Sequence, residues 1–178
     1  FADICYASNP SYTYVPDDNF EQALIDLGYD DTLDDFVLTE NISGVTNLNI
    51  SGGGIINMTG IEDFTALTEL WCSYNQLTTL DVGSNTALTD FRCDHNGITS
   101  LDVSSNTALT YLNCGTNELT SLDVSNNTDL TYLGCDDNQL TSLNVTVNTV
   151  LTDFRIGWNP LTGLDLSSNT ALTHLEVQ

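Results

Sequence analysis

The sequence contains no lysine and only two arginines, against 25 acidic residues, which gives a formal net charge of −23. Such a surface repels nucleic acids and anionic membranes, so we expect neither as a partner. Partners that suit it are proteins with basic patches, neutral glycans and divalent cations. Solubility in a salty, oxidising exterior would also explain the charge without any partner.

Long hydrophobic runs are missing as well, although hydrophobic residues make up 40% of the 178 residues. No apolar stretch approaches the roughly 18 residues that a membrane span needs, so membrane insertion is not expected. The start, Phe1-Ala-Asp-Ile, lacks the basic residues and apolar stretch of a signal peptide. We therefore expect the chain to be the mature portion of a longer protein, with one continuous core, and we favour a monomer.

The five cysteines do not form a disulfide or zinc pattern. Cys5 stands apart, and the other four recur at one repeat position: Cys72, Cys93, Cys114 and Cys135. An odd set at regular spacing is not a disulfide framework, and no C-x2-C pair points to zinc. Ile156 takes the same position in the next repeat. We therefore expect the thiols to fill the core as small apolar groups.

A period of 21 residues dominates the chain. It is marked by Leu67, Leu88, Leu109, Leu130, Leu151 and Leu172. Five full copies occupy residues 67–171, a divergent first repeat occupies 45–66, and a partial repeat occupies 172–178. L-x-x-L-x-L-x-x-N at such a period is the leucine-rich-repeat signature. We predict a repeat solenoid of this fold, built mainly from short parallel β-strands.

Each repeat has two halves. In the first, Leu67, Leu70 and Cys72 should point inward from a short strand. Asn75 follows and should bond the backbone at the bend, and its equivalents should stack into a ladder. The second half, T-x-L-D-V, predicts another short extended segment, so the convex side should be irregular or strand-like. Because Val177 and Gln178 stop inside a strand, we expect the chain to continue.

The first 44 residues differ from the repeats. Pro16-Asp17-Asp18-Asn19 opens a helical pattern, in which Phe20, Ala23, Leu24 and Leu27 are spaced by three or four residues before Gly28. We predict a small helical cap in residues 1–44 that shields the first coil of a solenoid over 45–178.

The repeat unit resembles those of bacterial proteins with nested 21-residue leucine-rich repeats. The segment VPDDNFEQALIDLGYD, followed by LTENISGVTNLNISG, resembles the N-terminal region of secreted or surface proteins of Bacteroidetes. The plan is similar to internalins, which place a helical cap before their repeats. The resemblance implies an extracellular or cell-surface location and a role in adhesion or protein recognition, and it brings no catalytic residues.

One outward face of the predicted solenoid is varied and the opposite one is monotonous. The strand side carries both arginines, both histidines and both tryptophans, whereas the other side repeats Thr, Ser, Asp and Gly. Free drift would diversify both faces, so variety on one side indicates a binding surface. The predicted ligand-binding residues are Trp71, Tyr74, Arg92, His95, Tyr111, Asn113, Tyr132, Asp136, Arg155 and Trp158.

The middle coils of this face suggest how a ligand is held. Gly115, Gly134 and Gly157 predict a low floor, with Tyr111 and Tyr132 as neighbours above it. Aromatic side chains stack on sugars and dominate protein interfaces. The arginines could instead only neutralise nearby aspartates, Asp90, Asp94, Asp136 and Asp153.

Metal and ice binding are weaker alternatives. His95 near Asp94, Asp136 and Asp137 is too poor in nitrogen and sulfur ligands for zinc. Calcium is a candidate at the acidic residues 30–35 or at a convex aspartate column, but neither matches a calcium-loop motif, so a solvated acidic face is preferred. The regular threonine columns suit backbone-bonded bends better than ice binding.

Catalysis has no motif in this sequence. G-x-S-x-G, H-E-x-x-H and nucleotide-binding loops are absent, and two distant histidines cannot activate buried thiols. We predict a non-catalytic scaffold, with no cofactor, that recognises a protein partner on the varied face. A glycan-binding module and a structural spacer are the alternatives.

Overall fold

The structure, a computed structural model, describes residues 11–177, so Cys5 lies outside the described part. The N-terminal region contains β1 (Tyr12–Tyr14), α1 (Asp18–Asp26), β2 (Phe36–Leu38) and α2 (Thr39–Ile42). The repeats contribute β3 (Asn47–Asn49), a 3-10 helix (Ile61–Asp63), β4 (Glu69–Trp71), β5 (Asp90–Arg92), β6 (Tyr111–Asn113), β7 (Tyr132–Gly134), β8 (Asp153–Arg155) and β9 (His174–Glu176).

The repeats form one parallel sheet with the strand order β3 to β9. Leu70 pairs with Phe91 and Phe91 with Leu112, so residues one 21-residue repeat apart become neighbours on adjacent strands. The longer first repeat shifts this spacing by one, since Leu48 pairs with Leu70. The predicted parallel-strand, leucine-rich-repeat solenoid is confirmed.

The core is a stack of equivalent apolar side chains. Leu67, Leu70 and Cys72 are fully buried, as are Cys93, Cys114 and Cys135. Burial raises the pKa of the Cys114 thiol to about 12, and that of Cys93 well above its usual value, so both stay protonated. Ile156 continues the column at 1% exposure. These facts confirm that the cysteines act as packing residues.

Two asparagine ladders satisfy the backbone between coils. The Asn96 side-chain amide donates to the carbonyls of Cys72 and Cys93, both at 3.1 Å, and its oxygen accepts from Leu77 N at 3.0 Å. Asn106 donates to the carbonyls of Val82 and Asn85 at 3.0 and 2.9 Å. The predicted ladder is confirmed. Each buried carbonyl that would otherwise be unsatisfied costs about 1–3 kcal/mol.

The convex side is irregular. The T-x-L-D-V segments between β4 and β9 form neither strand nor helix in the described residues, so the extended-strand alternative is wrong. Asp102 Oδ1 accepts a hydrogen bond from the amide of Ser104 at 2.9 Å, and the same turn recurs in other coils. The chain therefore turns at this position instead of continuing as a straight β-strand. Threonine hydroxyls also donate hydrogen bonds to the backbone, for example from Thr89 Oγ1 to Thr68 O at 3.1 Å.

Helix α1 is where the sequence pattern placed it. Asp17 caps it by accepting from the amides of Asn19 and Phe20 at 3.0 Å. The other Asp17 oxygen accepts from the amides of Ile56 and Asn57 at 2.8 and 2.9 Å, which ties the helix to the first coil. Residues 1–44 as a cap remain a prediction.

A small antiparallel sheet accompanies the helix. Strands β1 and β2 pair from Tyr12 with Leu38 to Tyr14 with Phe36. Their three-residue length gives too little alternation to mark them in the sequence.

Candidate binding face

The outward side of the seven-stranded sheet consists of two columns, because the middle residue of each strand from β4 to β8 is buried and its two neighbours are partly exposed, except for Gly134 on β7, which is buried. We call this side the varied face. Its first column comprises Glu69, Asp90, Tyr111, Tyr132, Asp153 and His174, and its second comprises Trp71, Arg92, Asn113, Gly134, Arg155 and Glu176.

Five of the predicted site residues form one continuous row, which we call the planar stack: Trp71, Arg92, Tyr111, Tyr132 and Arg155. The Arg92 guanidinium carbon lies 4.4 Å from the Trp71 ring centroid and 4.5 Å from that of Tyr111. The Tyr111 and Tyr132 centroids are 4.0 Å apart with planes at 4°. Arg155 lies 5.4 Å from the Tyr132 ring. Parallel strands about 4.8 Å apart bring flat groups into contact in this way.

Both arginines are also paired with aspartate on their own strand. Arg92 donates through Nε and Nη2 to Asp90 at 2.9 and 2.8 Å, and this bond raises the pKa of Arg92. Arg155 makes longer bonds to Asp153, at 3.3 and 3.4 Å. Positions i and i+2 share a face of a strand, so the D-F-R triplets build these pairs locally. The arginines therefore neutralise Asp90 and Asp153 while stacking on aromatic rings.

The stack leaves the two tyrosine rings without a free face. Tyr111 is covered by Arg92 on one side and Tyr132 on the other, and Tyr132 is covered by Tyr111 and Arg155. Partial burial also raises the pKa of Tyr132. Sugar stacking needs an open ring face. Tyr111 and Tyr132 therefore offer a ligand only their edges and hydroxyls.

The expected low floor is wrong, because neighbouring side chains fill the space beside the glycines. A Cβ at Gly134 would lie 2.6 Å from Asn113 Oδ1 and 2.9 Å from the Tyr132 hydroxyl. A Cβ at Gly115 would lie 2.9 Å from Asp136 Oδ1. These glycines make room for the side chains of Asp136, Asn113 and Tyr132.

Of the remaining site residues, Asn113 lies on β6 and Asp136 lies two residues beyond β7. Tyr74, His95 and Trp158 belong to a row of residues just beyond the strands. We call this row the rim strip: Tyr74, His95, Thr116, Asp137 and Trp158. Each has a left-handed backbone, with φ between 50° and 57°. The Tyr74 and His95 rings stack with centroids 4.0 Å apart, and Trp158 is 74% exposed. The backbone ladder continues along this row, for example from His95 N to Gly115 O at 3.0 Å.

A polar network that the sequence did not reveal joins the strands to the rim strip. Asp94 Oδ1 accepts from Ser73 Oγ at 2.6 Å and from Asn113 Nδ2 at 3.0 Å, while Oδ2 pairs with His95 Nδ1 at 2.9 Å. Ser73 is only 7% exposed because it is covered within this network. The i to i+21 spacing could have indicated the Ser73–Asp94 contact.

The candidate metal clusters gain no support within residues 11–177. No three His, Cys, Asp or Glu side chains converge there in a way that could hold an ion. The convex aspartates Asp102, Asp123 and Asp165 each accept hydrogen bonds from the serine two residues later. These bonds, from the serine side chain and amide, lower the pKa values of the aspartates. Turn formation accounts for that column.

The sheet register, the asparagine ladders and the buried cysteine column define a leucine-rich-repeat solenoid with a varied strand face. No family model matches the chain. Internalin J of Listeria monocytogenes serotype 4b (strain F2365) is 44% identical over 72 residues, which are 40% of this chain and 8% of that protein. No helix in the described part is long and apolar enough to cross a membrane.

Solved structures give a similar result. The functional domain of internalin J is 38% identical, with a TM-score of 0.79 over 96% of this chain and 44% of that one, and it is described as including a cysteine ladder. A leucine-rich-repeat protein of Leptospira interrogans (20% identity, TM-score 0.68, 78% of this chain and 38% of that one) shares the fold. Internalin C2 of Listeria monocytogenes also shares the fold, with 18% identity and a TM-score of 0.55 over 96% of this chain and 100% of that one. The chain spans less than half of either internalin J match.

Proposed function

We propose that this chain is a non-catalytic recognition scaffold of a secreted or surface-attached bacterial protein and that it binds a protein partner on the varied face. The planar stack carries this proposal. Five flat side chains are ordered on five successive strands of one face. The opposite side repeats the same serine-capped aspartate turn. Folding of the repeats requires the turns and the core, but it does not require the stack.

The stack suits protein recognition because its side chains are already held in place. Tyr, Trp and Arg are the residue types that contribute most to binding energy at protein interfaces. Arg92 is fixed by two bonds to Asp90 and by rings on both sides. Side chains that are ordered before binding lose less conformational entropy when a partner arrives. The similarity to internalin J supports the same proposal.

A glycan ligand is the second candidate, and it rests on Trp158 and Tyr74 rather than on Tyr111 and Tyr132. The ring faces of Tyr111 and Tyr132 are covered, whereas Trp158 is 74% exposed and Tyr74 is 61% exposed. A neutral sugar would therefore have to stack at the rim strip. If neither face binds a ligand, the chain would serve as a structural spacer.

Site-specific photo-crosslinking tests the proposal. A photoreactive phenylalanine analogue replaces Asn113 on the varied face or, as the matched control, Ser104 on the convex side. Each protein is irradiated in the culture of the organism that makes the chain, and adducts are identified by mass spectrometry.

We expect discrete protein adducts from position 113 and none in common with position 104. The adduct partner, once purified, should bind the wild type and lose affinity for the variant Tyr111→Ala/Tyr132→Ala. Adducts shared equally by both positions would overturn the proposal, and no adducts from either would favour a spacer. Immunoblots of washed cells and culture medium test the extracellular location.

A further inference from the structure

Asp94 and Asp136 occupy equivalent positions two repeats apart, yet their surroundings differ. Asp94 receives hydrogen bonds from Ser73 and Asn113 and pairs with His95. Asp136 has Gly115 and Gly157 at the equivalent positions on the two flanking coils. Within residues 11–177 no side chain donates a hydrogen bond to the Asp136 carboxylate. The repeat thus satisfies one aspartate with side-chain donors and leaves its counterpart without a side-chain donor.

The surroundings of Asp136 favour an incoming positive charge. Its carboxylate fills the space that Gly115 leaves, and a Cβ there would lie 2.9 Å from Asp136 Oδ1. Burial raises the pKa of Asp136, and the charges of Glu176 and Asp137 add to this, although a hydrogen bond from its own backbone and the charge of Arg155 oppose it. Arg155 is itself paired with Asp153. A cation from outside would relieve both the desolvation and the repulsion.

The rim strip next to Asp136 is conformationally strained. Tyr74, Thr116 and Trp158 have φ of 57°, 50° and 56°. The left-handed region is unfavourable for bulky and β-branched residues, whereas glycine adopts it freely and Asn, Asp and His enter it more readily. Because His95 and Asp137 have the same conformation, it belongs to every coil of the row and fixes the direction in which the rim side chains leave the backbone. Two of the three, Tyr74 and Trp158, are among the exposed large hydrophobic residues.

We propose that the stretch of the rim strip between His95 and Trp158 receives a lysine or arginine side chain of the protein partner, with Asp136 as its counter-ion and Trp158 covering the cation. This assignment rests on the proposed function and adds the chemistry of the partner. The formal charge of −23 is complementary to a basic protein surface. A cation against an indole face is a favourable contact.

An organic cation fits this position better than a metal ion. Calcium takes six to eight oxygen ligands, whereas no three potential ligand side chains converge in the described residues. A carboxylate without a side-chain donor and an exposed indole on the next coil instead match an ammonium or guanidinium group, which needs one counter-ion and tolerates an apolar neighbour.

NMR titration tests this inference without a known partner. The probe is N-acetyl-lysine N-methylamide, and the neutral norleucine analogue is its control. Amide signals of Gly115 and Gly157 and the indole signal of Trp158 are followed in the wild type, Asp136→Asn and Trp158→Ala. Asp123→Asn, on the convex side, is the matched charge control.

We expect saturable shifts at these three signals with the lysine probe and none with norleucine. Asp136→Asn should weaken binding about tenfold, Trp158→Ala about threefold, and Asp123→Asn should leave it unchanged, in keeping with charge pairs and cation–π contacts at partly exposed sites. The inference would be overturned if the shifts in Asp136→Asn equalled those in the wild type, or if signals near the convex aspartates shifted as much as those of Gly115, Gly157 and Trp158. A purified crosslinked partner that binds Asp136→Asn as tightly as the wild type would also overturn it, while leaving the proposed function intact.

Discussion

The rings of Tyr111 and Tyr132 lie parallel, 4.0 Å apart, although 21 residues separate them in the sequence. Their contact is a direct product of the register that pairs Tyr111 with Tyr132 on β6 and β7. The same register places Arg92 and Arg155 at the two ends of the pair. The register that stacks the core leucines therefore also determines which side chains stack on the surface.

This contact should be measurable as a coupling energy. We expect Tyr111→Ala and Tyr132→Ala to be non-additive in urea unfolding, with a coupling of about 0.5–1.5 kcal/mol, the range for stacked aromatic pairs. Tyr111→Ala combined with Tyr12→Ala is the control, because Tyr12 lies in the N-terminal sheet and should give additive effects. Additivity of the stacked pair would show that the rings do not stabilise each other.

The buried asparagine ladder should matter far more than its exposed neighbours. Asn127 is fully buried and donates to the carbonyls of Val103 and Asn106 at 3.0 and 2.9 Å. Asn127→Ala leaves both carbonyls unsatisfied and should lower the free energy of unfolding by about 2–4 kcal/mol. Asn126 is exposed and makes one bond, to Ser104 O. Asn126→Ala should cost less than about 1 kcal/mol, and similar losses for both variants in denaturant titrations would contradict the ladder.

The cysteine column makes stability sensitive to alkaline pH. In the unfolded chain a thiol has a pKa near 9.0, whereas burial holds that of Cys114 at about 12. The folded state therefore keeps a proton that the unfolded state loses. The stabilising contribution is complete below about pH 8.5 and declines as the pH rises toward 12.

Urea unfolding at several values between about pH 8 and pH 10.5 measures this slope. The slope should be shallower in Cys114→Ala, which removes one of the four buried thiols. A pH-independent wild type, or native thiols that alkylate as fast as unfolded ones, would contradict full burial.

Relief of the rim-strip strain should stabilise the protein. Thr116 has φ of 50°, so Thr116→Gly should raise the free energy of unfolding by about 1 kcal/mol, since glycine adopts this conformation without penalty. Thr120 lies outside the left-handed region, and there the same change to glycine should destabilise by about 0.5–1 kcal/mol. Destabilisation at both positions would mean that Thr116 carries no strain.

Much of the fold could be predicted because it follows from the repeat. A fixed 21-residue period dictates which residues become vertical neighbours, so the sheet, the Asn96 ladder and the buried Cys72 column could all be derived from one unit. Helix α1 was equally visible, since Asp17 and Gly28 mark its two ends. The two-stranded sheet at Tyr12 and Phe36 was not, because strands of three residues have no readable alternation.

The candidate site was predictable only in part. Alternation placed Trp71, Arg92 and Tyr132 on one face, but the sequence could not show which ring covers which. The glycine column suggested an open floor, whereas Gly115 accommodates the Asp136 carboxylate and Gly134 accommodates Tyr132. The repeat period determines which residues are neighbours on adjacent strands. The direction in which a long side chain points depends on how it packs, and this cannot be read from a single sequence.

The affinity of the purified crosslinked partner for three forms of the chain tests the central claim most directly. The forms are the wild type, Tyr111→Ala/Tyr132→Ala on the varied face, and Ser104→Ala/Ser125→Ala on the convex side, each shown to be folded by circular dichroism. We predict a loss of roughly 30-fold, about 2 kcal/mol, for the first variant and less than about twofold for the second. Unchanged affinity in the tyrosine variant, or an equal loss in the serine variant, would contradict recognition by the varied face.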